Sequence, residues 1–305
     1  MPETLCTHSI HQTLRLGTRG SALARWQANW TAEQLRALGV TVEIVTIQTS
    51  GDVAQTDAIV NIGAQGVFTK EIQHALLENK IDIAVHSLKD LPTEYVAGLT
   101  LAAVPKRESY RDAFVSHIAE KIEDLPPGSR IGTGSMRRKT QVLYHFGDRY
   151  RVEDIRGNVE TRLRKLEQKE YDALILAEAG LNRLGLAKVI RSFLEPPFFL
   201  PAIGQGALGW EIRIDDRQTA EILKLLNDEQ TFAAVRAERA MLREMRGGCS
   251  SPIAALAQSK DCGSVLSLHG RVLSTDGKQM FETLQSAPFT EEPELLGIHV
   301  ARELM

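Results

Sequence analysis

Leu14-Arg15-Leu16-Gly17-Thr18-Arg19-Gly20-Ser21 recurs loosely as Ser129-Arg130-Ile131-Gly132-Thr133-Gly134-Ser135, and this repetition divides the chain. Each copy closes an extended run and opens a helical pattern. Ala22, Leu23, Trp26, Trp30 and Leu35 follow the first at helical spacing; Met136, Val142, Leu143 and Phe146 follow the second. Each half then reaches an apolar strand preceded by aspartate, Ile81-Asp82-Ile83-Ala84-Val85-His86 and Tyr171-Asp172-Ala173-Leu174-Ile175-Leu176. Strands alternating with helices predict an α/β fold of two related halves with parallel sheets and right-handed crossovers. Residues 100–104, followed by Pro105 and Lys106, read as a strand crossing between the halves. The breaker-rich Leu200-Pro201-Ala202-Ile203-Gly204-Gln205-Gly206 reads as the return, leading into a strand over 207–213.

Beyond the return the pattern changes. Helices are expected over 220–226 and 231–245, short alternating strands over 253–257, 265–272 and 279–284, and a last helix from 294. That describes a small α+β domain with an antiparallel sheet, with no fused second enzyme after it. Residues 50–66, with Gly51, Gly63 and Gly66, are the only long stretch without a pattern and suggest a lid. A chain of 305 residues, 43% apolar and 25% charged, is of ordinary globular composition and long enough for two or three domains. Three cysteines, Cys6, Cys249 and Cys262, are too few for a disulfide framework and lack metal-ligand spacing, so no metal is expected. With no leader pattern and no apolar run of spanning length, the expected location is the cytoplasm. A net charge of −3 disfavours nucleic acid, yet residues 130–165 carry ten basic side chains against four acidic ones.

A strand-to-helix turn of small residues presents backbone N–H groups at the positive end of a helix, where anions bind. Either turn alone is satisfied by the need of a tight turn for glycine. Two copies, one with Arg19 and Ser21, the other with Ser135, Arg137 and Arg138, favour anion binding. Arg156-Gly157-Asn158-Val159-Glu160-Thr161-Arg162 supplies a third such turn, and Arg183 follows the second half's last strand. The guanidinium fork pairs bidentately with carboxylate or phosphate. Val85-His86-Ser87-Leu88-Lys89-Asp90 carries polar groups to the carboxyl end of a strand, where open α/β sheets bind ligands. Asp90 is there either as an ion-pair partner or to stabilise a positive charge formed in a reaction, and the residues alone favour pairing. His86 reads as a hydrogen-bonded structural residue. Cys249, in Met245-Arg246-Gly247-Gly248-Cys249-Ser250-Ser251-Pro252, is either a small buried residue or an attachment point. Arg236, Arg239, Arg243 and Arg246 before it would favour thiolate. No G-x-S-x-G elbow, P-loop or dinucleotide fingerprint is present.

Seven motifs in order, Leu16-Gly17-Thr18-Arg19-Gly20-Ser21, Phe68-Thr69-Lys70-Glu71, His86-Ser87-Leu88-Lys89-Asp90-Leu91-Pro92, Ile131-Gly132-Thr133-Gly134-Ser135-Met136-Arg137-Arg138, Ile155-Arg156-Gly157-Asn158-Val159, Leu200-Pro201-Ala202-Ile203-Gly204-Gln205-Gly206-Ala207 and Gly247-Gly248-Cys249, resemble the porphobilinogen deaminase (hydroxymethylbilane synthase) family. The resemblance implies two doubly wound α/β domains like those of type II periplasmic binding proteins plus the small third domain. The division would be 8–104 with 207–223, then 105–206, then 224–305. It implies a dipyrromethane cofactor held through Cys249 and a transferase that condenses four porphobilinogen molecules with loss of ammonia. Arg19, Ser21, Lys89, Ser135, Arg137, Arg138, Arg156, Arg162 and Arg183 would bind the carboxylates of cofactor and substrate. Asp90 would be catalytic, which reverses the reading from the residues alone. The product would pass to uroporphyrinogen-III synthase, and the enzyme would be a monomer without nucleic-acid or membrane partners. The chain departs from the family pattern at Asn61 and Gln65, where lysines are common, and at Arg246 and Ser251. A two-domain anion-binding protein without the chemistry is the alternative.

Overall fold

The computed structural model describes residues 13–48, 69–248 and 251–305. The expected lid at 50–66, with Asn61 and Gln65, lies outside them, as do Cys6 and Cys249. The chain opens with β1 (Leu14–Arg19), α1 (Ala22–Ala37), β2 (Val42–Ile47), α2 (Lys70–Leu77), β3 (Ile83–Ser87), a single 3-10 turn at Leu88–Asp90 and β4 (Leu99–Ala103). It crosses to β5 (Asp112–Ser116), β6 (Arg130–Gly132), α3 (Met136–Phe146), β7 (Arg151–Glu153), α4 (Val159–Glu167), β8 (Ala173–Ala177), α5 (Glu178–Arg183) and β9 (Ser192–Leu194). It returns through β10 (Leu208–Arg213) and ends with α6 (Arg217–Lys224), α7 (Glu229–Glu244), β11 (Ile253–Lys260), β12 (Val265–Leu273), β13 (Met280–Pro288) and α8 (Pro293–Leu304).

Two five-stranded sheets have orders β2-β1-β3-β10-β4 and β7-β6-β8-β5-β9, and the third sheet is β11-β12-β13. The pairs β1–β2, β1–β3, β6–β7 and β6–β8 are parallel, as expected. The expectation of wholly parallel sheets is corrected at β10, antiparallel to β3 and β4, and at β5, antiparallel to β8 and β9. Parallel pairing needs a crossover that returns the chain to the same end of the sheet. Both crossing strands instead arrive from the other lobe at the carboxyl ends of their neighbours, Leu208 opposite Ser87 and Asp112 opposite Ala177. The third sheet is antiparallel throughout, with strands longer than their apolar alternation suggested.

The repeat extends beyond the motif. A Cβ on Gly17 would lie 2.3 Å from Ile81 Cδ1, and one on Gly132 2.9 Å from Tyr171 Cδ1. Asp82 and Asp172 each accept from the backbone N–H of the partner strand, Arg15 at 2.9 Å and Arg130 at 2.7 Å. Apolar side chains of α1, including Ala28 and Leu35, pack on Leu16, Val85 and fully buried Trp210 of the first sheet. The second sheet is covered on both faces, around Phe114 and Ile175 on one and Leu174 and Leu176 on the other. Helices α7 and α8 cover the third sheet.

The two crossings pack closely. Gly204 and Gly206 have φ of +68° and +85°, and a Cβ on Gly206 would lie 2.4 Å from Ser109 O. Fully buried Glu238 of α7 joins both crossings to the third domain: it accepts from Arg107 Nη1 at 2.7 Å, Gly204 N at 2.7 Å and Ala257 N at 2.9 Å.

Candidate functional site

The carboxyl ends of β1 and β3 form one wall of the cleft. Ser21 caps α1 by accepting from Ala24 N at 3.3 Å, while Ser135, at the matching place on α3, makes no such bond. A cavity of about 70 Å³ is lined by Arg19, Ser21, Gln27, His86, Ser87 and Asp90. Gln27 Nε2 donates to Ser87 Oγ at 2.8 Å. Gln27 was missed in the sequence; a buried glutamine on the apolar face of α1 was the available signal. His86 is buried against Glu211 (3.1 Å), which also accepts from Gln73 at 3.0 Å, so its structural reading stands. Asp90 is exposed at the end of the 3-10 turn. Lys89 beside it is half-buried, and burial pulls its ammonium down to about 8. Arg138 and Arg137 lower it further, while Asp90 and Asp112 oppose.

The facing wall is cationic. Arg137 and Arg138, expected to take ligand carboxylates, are buried and close on a resident one. Arg137 Nη1 lies 2.7 Å from Asp112 Oδ2, Arg138 Nε 2.9 Å from Oδ1, and Gln205 Nε2 adds a third donor at 2.9 Å. Backbone carbonyls complete the set, Leu200 O for Arg137 at 2.6 Å and Ile175 O for Arg138 at 2.9 Å. Burial alone would raise Asp112, but the two guanidiniums outweigh it and hold the carboxyl far below the ordinary range. Arg137 Nε is buried with no partner among the described residues. Arg156 is exposed beside Asp154 at 3.0 Å. Arg162 donates Nε to Gly157 O at 2.9 Å and is pulled down to about 10 by burial, then by Arg138 and Arg156, with Asp90 opposing. Arg183 donates to Gly206 O at 2.7 Å and lies 5.8 Å from the Trp26 ring centre of α1; burial takes it to about 10.

Three of the arginines that precede Cys249 have partners among the described residues. Arg236 Nε bonds Glu294 at 2.6 Å, Arg239 bonds Leu91 O and Pro92 O, and Arg243 lies 4.8 Å from the Tyr95 ring centre. Packing requires Gly247, since a Cβ there would lie 2.5 Å from Ile253 Cδ1. Gly248 N donates to Ser251 Oγ at 3.0 Å, so the chain on either side of Cys249 is drawn together.

Fold and site together define a two-lobed α/β protein with a third domain, whose cleft sets one exposed carboxylate against a group of arginines. The family model for "Porphobilinogen deaminase, dipyromethane cofactor binding domain" matches residues 14–221, and that for "Porphobilinogen deaminase, C-terminal domain" matches 232–305. The chain belongs to the porphobilinogen deaminase family. It is 48% identical over 296 residues to the porphobilinogen deaminase of Trichlorobacter lovleyi, covering 96% of this chain and 93% of that one. It is 48% identical over 294 residues to that of Geobacter metallireducens, covering 96% and 91%. The solved structure of the methionine binding protein MetQ is a distant likeness, 13% identical over 70% of this chain and 87% of that one with a TM-score of 0.45. No helix among the described residues is long and apolar enough to cross a membrane.

Proposed function

We propose that this protein is a porphobilinogen deaminase, joining four porphobilinogen molecules with release of ammonia to give hydroxymethylbilane for tetrapyrrole biosynthesis. One observation carries this reading: the exposed Asp90 carboxylate is close enough to act electrostatically on both Lys89 and Arg162, so it shares their cleft. Porphobilinogen bears acetate and propionate groups, so each addition brings two more carboxylates into the cleft. Arg19, Ser21, Lys89, Ser135, Arg156, Arg162 and Arg183 are the donors for them. Arg137 and Arg138, one of whose charges Asp112 offsets, supply a fixed positive background and the unpartnered Nε. The donor set fits dipyrromethane, itself a polycarboxylate, and its proposed attachment is Cys249. When bound, it supplies the pyrrole end on which the chain grows.

Asp90 acts on the substrate. Departure of ammonia leaves positive charge on the substrate pyrrole, and a carboxylate held beside the ring N–H stabilises that charge and can take a proton. The division into 8–104 with 207–223, 105–206 and 224–305, the cytoplasmic location, the monomeric state and delivery of product to uroporphyrinogen-III synthase belong to the same proposal.

Intact and peptide mass spectra of the purified protein test it. The expected result is two linked pyrroles on the peptide containing Cys249 and the dipyrromethane colour with acidic aldehyde reagent. An adduct on exposed Cys262, or turnover by protein without an adduct, overturns the assignment.

A further inference from the structure

We propose that Arg239 is a positioning residue that holds the chain just beyond Asp90 from α7, the helix that leads into the Cys249 loop. This rests on the roles given above to Asp90 and Cys249. Arg239 donates Nη1 to Leu91 O at 2.8 Å and Nη2 to Pro92 O at 2.7 Å. These carbonyls lie one and two residues past Asp90. The turn has little internal hold, since its closing bond, Leu91 N to Leu88 O, is 3.3 Å long. Pro92 has no N–H to contribute.

Support on the upstream side is good: Leu88 N donates to Ala207 O at 3.0 Å, and Gly204 packs so closely on Leu88 and Lys89 that a Cβ there would lie 3.0 Å from Leu88 Cβ. Downstream, packing is incomplete. Leu91 is buried with Val235 of α7, but beyond it a cavity of about 210 Å³ opens between this segment and the helices, bordered by Tyr95, Phe232, Arg236, Arg239, Arg243 and Glu294. Across that gap the Arg239 fork bridges directly to the backbone. Its planar pair of donors matches two successive carbonyls, and both bonds are charge-assisted.

The place of Arg239 on α7 gives the clamp its purpose. The preceding residue, Glu238, is the buried acceptor that ties α7 to both crossings. Beyond Arg239 the helix runs to Glu244, is capped at Met245 and passes into Gly247 and Gly248. A helix is stiff, rising 1.5 Å per residue. One rigid element therefore holds the Asp90 turn at one point and leads at its end into Gly247 and Gly248.

Displacing a reacting group by about 1 Å can cost a hundredfold in rate. Arg239→Gln is therefore expected to lower kcat about ten- to a hundredfold with KM changed less than about threefold. All four condensations should slow by a common factor, because Asp90 serves each one. Arg239→Lys, able to reach one carbonyl, should recover part of the rate. Hydrogen–deuterium exchange should rise in peptides spanning 88–96 and not in α7, with the Cys249 adduct retained by mass. Unchanged exchange at 88–96, a KM effect with kcat kept, or a rate loss that follows a global fall in protection overturns the clamp. Asp90→Asn run in parallel separates the failures: if it retains turnover, the catalytic role of Asp90 fails. If it is inactive while Arg239→Gln matches the wild type, only the clamp does.

Discussion

The two lobes solve one backbone problem in the same way and differ in what they do with charge. In each, a glycine of one strand, β1 or β6, admits a large side chain, and an aspartate just before another, β3 or β8, accepts from the backbone of the glycine-bearing strand. At the cleft edge they part. The first lobe ends β3 in a short turn that leaves Asp90 exposed. The second ends β8 in α5, whose Glu178 is buried and bonded to Arg111 at 2.7 Å and to Ser109. Its entering strand also begins with a carboxylate, Asp112, but two guanidiniums close on it. At this edge Glu178 and Asp112 of the second lobe fix cations, while Asp90 of the first is left exposed. A carboxylate in a cationic cleft can act on a ligand only where structural pairing does not consume it.

The strongest challenge to this contrast is Asp112→Ala. Removing one partner from a buried charge cluster leaves Arg137 and Arg138 uncompensated, which typically costs about 3 to 5 kcal/mol. Denaturant unfolding should show that loss, and wild-type stability would mean that the pair does not organise the second lobe. The pH dependence has a definite sign. Because the folded Asp112 carboxyl is held below its ordinary value, its stabilisation is present above the normal carboxylate range and is lost only as the pH falls well beneath it.

Asp90→Asn should behave in the opposite manner. Its melting temperature should stay close to wild type while single-turnover ammonia release falls about a hundred- to a thousandfold. A destabilised but fully active variant would make Asp90 a structural acid like Asp112 and erase the difference between the lobes.

A smaller effect separates two kinds of arginine. The side chain of Arg156 is 69% exposed, and that of Arg137 is 3% exposed and paired. Arg156→Leu should leave unfolding unchanged and weaken carboxylate binding by about 1.5 to 3 kcal/mol, read in KM or in stalled elongation. Arg137→Leu should also lower the melting temperature. Equal melting temperatures would show that the Asp112 cluster tolerates loss of Arg137.

The mildest expectation concerns Lys89. With its ammonium drawn down to about 8, kcat/KM should fall as the pH rises through that value, and Lys89→Arg should move the alkaline limb upward. Stability runs the other way: the folded state holds this proton less tightly than the unfolded chain, so the Lys89 contribution improves from about pH 8 towards 10.5. An alkaline limb that does not move in Lys89→Arg would assign it to another group.

Much of this was legible in the residues. The repeated glycine turns marked the two lobes, the breaker-rich return marked the second crossing, and the apolar alternation marked the third sheet. The direction of β5 and β10 was not legible, because strand polarity in a sheet depends on the edge from which the chain arrives, and that edge belongs to the other lobe. The partners of Arg137 and Arg138 were hidden for a similar reason. Asp112 stands at the head of an apolar strand 25 residues away from Arg137, with nothing local to mark it as their counterion.

The sequence by itself determined that strands alternate with helices in two related halves and which family the motifs resemble, since periodicity and repeated motifs are properties of neighbouring residues. Only the tertiary structure decided which charges are consumed and which remain. Ion pairs and charge-assisted hydrogen bonds act over about 3 Å, and Arg107 with Glu238, Arg239 with the Leu91 carbonyl, and Arg137 with Asp112 come within that distance only after distant elements have packed.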